Sequence, residues 1–235
     1  MKKSKKEIEI EDEKTYRIHR KIKTFFRALL VLAVFLEIVE QRWTLMFATL
    51  LILFMTYLPE MFEKKYKIDI PTELELVIVI FIYASLFLGE IRAYYTRYWW
   101  WDIVLHTSSG VVLGFAGFLI LYVLYYKKQI KANPFIIAVF VFCFALAIGA
   151  VWEIFEFGVD SILGYDMQKA RNLEAVYGYC DTRLGVIDTM WDLIVDAIGA
   201  LFAATLCYFY LKGKRPKFLE RMIRNFIRNN PKLIS

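Results

Sequence analysis

The chain has 235 residues, is 59% hydrophobic and carries a formal net charge of +6. Soluble domains are nearer roughly 45–50% apolar, and the excess here is gathered into runs at 29–39, 43–58, 76–88, 111–126, 135–151 and 198–211. A crossing helix needs about 20 mostly apolar residues, so six such runs exclude one soluble core of this size. They define an all-α fold, a polytopic transmembrane helix bundle of about six spans.

Residues 1–23 form a basic segment without an apolar stretch at its start, so no cleavable signal peptide is expected and the first span serves as the insertion signal. Spans are predicted at roughly 24–40, 43–59, 74–91, 101–126, 134–158 and 188–211, which together make a membrane domain over 24–211. Glu37, Glu40, Gln41 and Arg42 interrupt the first long stretch and predict a tight hairpin there. Pro59 is expected to close the second span, and Pro71 with Thr72 to open the third. Pro134 falls in the first turn of the fifth, where its missing N–H costs nothing. The tail, 212–235, is basic. Phe218, Leu219, Met222, Ile223, Phe226 and Ile227 recur in it at helical spacing, with Lys217, Arg221, Arg224 and Arg228 on the other face. That pattern suits a helix lying on an anionic inner leaflet. Cys143 and Cys207 fall within spans, so with Cys180 they make no disulfide framework.

Charge distribution orients the bundle with both ends in the cytoplasm. Lysine and arginine crowd the N-terminal segment, the 60s loop, the loop at Lys127, Lys128 and Lys131, and the tail. The outside loops hold Arg42, Arg92, Arg97, Lys169, Arg171 and Arg183. This is the bias cytoplasmic loops carry, and it accounts for the net charge without a nucleic-acid partner. A multi-pass protein of the bacterial cytoplasmic membrane is expected.

Ionisable residues inside spans are costly and mark function, and here they cluster. Asp102 and His106 share a face at the start of the fourth span. Glu153, Glu156 and Asp160 share one at the end of the fifth, and Asp188, Asp192 and Asp196 run down the sixth. In the predicted topology all of these lie in the outer half of the membrane, and Asp196 is about 12 Å along its helix from Asp188. A dipole argument covers Asp102 and Asp188 at helix starts, but not Glu153, Glu156 and Asp160 at a helix end. Carboxylates with one imidazole suit Mg²⁺, Mn²⁺, Ca²⁺ or Zn²⁺, and a cation would relieve the repulsion among the acids. Shared protons are the alternative. His106, Glu153 and Glu156 are the catalytic candidates. The longest outside loop, 161–187, carries Asp166 and Gln168 and is expected to form a lid or supply ligands. Gly110, Gly114 and Gly117, with Gly149, Gly199 and Ala203, predict close packing of the last three spans. Tyr98, Trp99, Trp100 and Trp101 read as an interfacial aromatic belt.

The blocks WWWDIVLHTSSGVVLGFAGF, WEIFEFGVD with a following MQ, and DTMWDLIVDAIGA resemble the YjdF-like family of bacterial integral membrane proteins. Their order is distantly similar to VanZ-like proteins, whose association with glycopeptide tolerance implies a cell-envelope role by analogy. Neither resemblance implies a reaction. Three functions stay open: a cell-envelope protein that binds or modifies a lipid head group, a cation or proton transporter, and a structural membrane protein without turnover.

Overall fold

The structure is a computed structural model that describes residues 5–127, 129–170, 175, 178, 183–214 and 216–234. Its helices are α1 (Lys5–Val39), α2 (Trp43–Met55), α3 (Leu58–Tyr66), α4 (Thr72–Ile82), a π-helical continuation (Tyr83–Ile91), α5 (Tyr94–Arg97), α6 (Trp101–Tyr126), α7 (Pro134–Leu163), α8 (Leu184–Leu211), α9 (Lys217–Asn229) and α10 (Pro231–Ile234). The chain is a polytopic helical bundle. Among the described residues, five helical stretches are long and apolar enough to cross a membrane: Trp43–Tyr66, Thr72–Ile91, Trp101–Tyr125, Pro134–Leu163 and Leu184–Leu211. The chain divides into two compact units, Met1–Tyr94 with Arg224–Asn230, and Tyr95–Ile223 with Pro231–Ser235.

In the first unit the expected hairpin forms. Helix α1 ends at Val39, Gln41 turns with φ of 57°, and α2 starts at Trp43. The two helices run antiparallel, because Thr49 Oγ1 donates to Glu37 Oε1 at 3.1 Å and Arg27 Nη2 to the Thr56 carbonyl at 2.7 Å. Leu30 and Ala33 pack on Ile52, Tyr83 and Phe87, while Phe25, Val31, Leu32 and Phe35 point outward from α1. The residues of the predicted span 24–40 lie in the second half of one 35-residue helix, which is not among those five stretches. Charged residues at Lys23, Arg27 and Glu37 break up its apolar stretch. Lys23 is buried and pairs with Glu75 and Glu60, and Arg27 pairs with Glu60 at 3.0 Å, so these charges are met by protein rather than lipid. Pro59 does not close the second span. It sits in the first turn of α3, where proline is tolerated, and the helical path runs on to Tyr66.

In the tail, Leu219, Met222, Ile223 and Phe226 of the amphipathic stripe are buried, whereas Phe218 is exposed. Helical periodicity identifies an apolar face but not whether lipid or protein covers it. Asn230 fixes the end of the tail: its amide donates to the Asp69 carbonyl and its oxygen accepts from the Asp69 N–H, both at 2.7 Å. Asn230→Ala is expected to lower stability by about 2 kcal/mol, read as a reduced midpoint in thermal unfolding of the detergent-solubilised protein.

The second unit holds α6, α7 and α8 packed on one another. Asn133 caps α7, its side chain accepting from the Ile136 N–H at 2.9 Å, and Pro134 occupies the first turn as expected. Helix α8 begins at Leu184, a full turn before the predicted start. Reporter fusions at residue 130 and at the C-terminus are expected to read cytoplasmic and one at residue 172 external. An external C-terminus would overturn the orientation.

Candidate metal centre in the helical core

Glycine brings the site together. A Cβ on Gly199 would run into the Thr107 carbonyl, and one on Gly110 would meet the Asp196 carbonyl and, at 3.0 Å, the Ala200 nitrogen. The backbones of α6 and α8 thus touch, which places His106 and Ser109 beside Asp196. Across from them a Cβ on Gly149 of α7 would occupy the Asp196 carboxylate's position. Only a residue without a side chain leaves that carboxylate room.

His106 is the centre of the arrangement. Its Nε2 lies 3.6 Å from Asp102 Oδ1 and 3.8 Å from Asp192 Oδ2, and its Nδ1 lies 3.4 Å from Asp196 Oδ2. One ligand atom from each of Asp102, His106 and Asp192 falls within 4.8 Å of the others. The Nε2 separations exceed hydrogen-bond length. They are close to the roughly 3–3.5 Å edges between ligands that surround a cation at about 2.1 Å. The second nitrogen faces a carboxylate, the device that fixes tautomer and ring orientation in metal-bound histidines. Asp196 is itself held by Ser109 Oγ, which donates to its Oδ1 at 2.7 Å.

Burial rises with depth. Asp102 and Asp188 near the helix starts are half-buried, whereas Glu153, Asp192 and Asp196 are buried. Among the described residues the Thr189 hydroxyl is the donor that lies beside Glu153, and its geometry to the two buried carboxylate oxygens is poor. Asp188 Oδ2 has no hydrogen-bond partner among the described residues. A buried acceptor without a donor costs about 1–3 kcal/mol, which a cation or a shared proton at the cluster would offset. The predicted residues thus separate into groups. Asp102, His106, Asp192 and Asp196 converge in direct contact. Glu153 and Asp188 lie within electrostatic reach of them. Glu156 does too, and its Oε1 accepts from Trp152 Nε1 at 2.8 Å.

Asp160 does not join them. Its two oxygens accept the backbone N–H groups of Met167 and Gln168 at 2.7 and 2.9 Å, so it ties the following loop to the end of α7. Gln168 folds onto α8, donating to Thr189 Oγ1 at 2.9 Å. Asp166 stays in the loop, its carbonyl accepting from Lys169 N at 3.3 Å. Arg171, Cys180 and Asp181 lie outside the described residues. Asp160→Asn is expected to loosen the loop, read as faster amide exchange over residues 164–170, while leaving metal content unchanged. Sequence reasoning missed Ser109, Trp152, Thr189 and the specific fit of Gly149. Ser109 was within its reach, lying one helical turn after His106.

The fold and site together define an integral membrane protein with a buried carboxylate–histidine cluster. The chain belongs to the DUF2238 family, described as predicted membrane proteins, which it matches over residues 22–213. It is also similar to an uncharacterised protein of Thermotoga maritima, 26% identical over 159 residues, covering 66% of this chain and 72% of the relative. No solved structure matches. Neither match lends support to the distant VanZ likeness.

Proposed function

We propose that this protein binds a divalent cation through Asp102, His106 and Asp192 in the outer half of the bacterial cytoplasmic membrane, and uses it on a lipid head group. The observation that carries the reading is the pair of carboxylates converging on one nitrogen of His106 while Asp196 faces the other. A histidine with carboxylates favours Mn²⁺ or Zn²⁺ over the harder Ca²⁺ and Mg²⁺. A cation held there would polarise an oxygen of a bound head group. Glu153 and Glu156 are the acid–base candidates, and Asp188 lines the outer rim. Half-buried Asp102 lies two residues past exposed Trp100 and three past exposed Trp99, in the interfacial belt where head groups lie. The resemblance of the three motif blocks to the YjdF-like proteins is consistent with this reading.

Transport through the same cluster is the rival, and one observation counts against it. Among the described residues, the buried side chains of α6, α7 and α8 inward of Asp196 are apolar apart from Cys207 and Tyr210, which is a poor path for an ion. The test is to incubate the protein in nanodiscs of bacterial lipid extract with Mn²⁺ or Zn²⁺ and follow head groups by mass spectrometry. The wild type is expected to retain or alter a head group in a metal-dependent way, and Asp192→Asn is expected not to. Metal flux into proteoliposomes, with every head group unbound and unchanged, would give the site to a transporter.

A further inference from the structure

A second binding feature lies at the opposite end of the same unit and uses none of the cluster residues. Between α7 and α8, the small side chains of Ala138, Ala204 and Thr205 leave an apolar groove of about 390 Å³, walled by Phe135, Phe142, Leu201, Tyr208 and Phe209. Ala204 is buried at its floor, whereas Phe135 and Leu201 are well exposed at its sides. The groove lies on membrane-crossing helices, so an acyl chain is the apolar matter at hand. What selects the occupant is charge at one end. Lys212 sits 5.9 Å over the Tyr208 ring and Lys214 sits 5.2 Å over the Phe209 ring, so both ammonium groups cover aromatic walls of the groove. Helix α7 begins at Pro134, next to Phe135, and adds the partial positive charge of a 30-residue helix's N-terminus at the same end. Among the described residues no acidic side chain lines the groove.

We propose that this groove holds an anionic phospholipid of the cytoplasmic leaflet, its acyl chain between α7 and α8 and its phosphate at Lys212 and Lys214. A zwitterionic lipid fits the apolar part equally but gains less from two lysines and a helix N-terminus, so selectivity resides in the head group. Basic side chains at an anionic surface are worth about fivefold each in affinity.

The test uses full-length protein in neutral detergent, titrated with dioleoyl phosphatidylglycerol or dioleoyl phosphatidylcholine and read by thermal unfolding. Phosphatidylglycerol is expected to raise the midpoint at concentrations at least about tenfold below those at which phosphatidylcholine acts. Lys212→Glu with Lys214→Glu should abolish that preference. Thr205→Phe, at an exposed position where the added ring fills the groove without entering the core, should weaken both lipids. Lys64→Glu with Lys65→Glu, an equal charge change in the other unit, should leave the preference intact. Equal responses to the two lipids, or an unaltered preference in the Lys212/Lys214 variant, would overturn the proposal. A wild-type dimer that Thr205→Phe dissociates would overturn it too, giving the groove to a second copy of the chain.

Discussion

Asp192→Asn is expected to lower affinity for divalent cations by more than about 100-fold, measured as metal content by mass spectrometry after equilibration at fixed free metal. His106→Ala should match it, since either change takes one of three converging ligands. Asp102→Asn should fall close behind, because its carboxylate is the more exposed and water can replace it in part. Asp196→Asn is the informative neighbour. It faces the far nitrogen of His106, and loss of such an orienting partner typically costs roughly 10–100-fold. Glu153→Gln and Glu156→Gln should reduce metal content less than Asp192→Asn and leave the protein folded. Asp166→Asn, in the loop, should change nothing. A flat series, with every variant holding as much metal as the wild type, would remove the cation from the account.

Gly199→Val is expected to yield no folded protein. Its Cβ would enter the Thr107 carbonyl, and neither backbone has a flexible side chain to move aside. Gly199→Ala is the graded version. Overpacking of this kind costs about 1–3 kcal/mol, and because α6 and α8 must part to accept it, His106 would draw away from Asp192 and Asp196. Lower thermal stability should therefore come with lower metal content. Gly158→Ala is the matched control: nothing lies within 4 Å of its added Cβ, so helix propensity alone acts, and the protein should be unchanged or up to about 1 kcal/mol more stable. Equal behaviour of Gly199→Ala and Gly158→Ala would show that backbone contact between α6 and α8 is not what assembles the cluster.

Much of this was legible in the sequence, because membrane physics makes strong signals. Long apolar runs can only be helices when no water is available to the backbone, and Pro134 marks a helix start by its place in the first turn. The 3.6-residue repeat put Asp102 with His106 on one face and Asp188, Asp192 and Asp196 on another. What the sequence could not show was the partner of each polar group. Asp160 follows the same repeat as Glu153 and Glu156, yet its helix ends at Leu163 and its carboxylate meets returning backbone instead of the cluster. Pro59 reads as a stop, but one turn's break at Thr56 and Tyr57 makes it a start. Lys23 and Arg27 are neutralised by Glu60 and Glu75, from helices more than thirty residues away in sequence, where no local pattern points. The tail's amphipathic stripe was visible, but its cover was not.

The most direct test of the central claim is the thermal unfolding midpoint of purified wild-type protein as Mn²⁺, Zn²⁺, Mg²⁺ and Ca²⁺ are titrated from chelator-treated material, alongside Asp192→Asn. A ligand that binds only the folded state adds about 2.7 kcal/mol at a hundredfold excess over its Kd. The account predicts a saturable rise in the wild type with at least one of these ions, Mn²⁺ or Zn²⁺ first, and none in Asp192→Asn. A midpoint that stays constant for all four ions, or that rises equally in the variant, would contradict it.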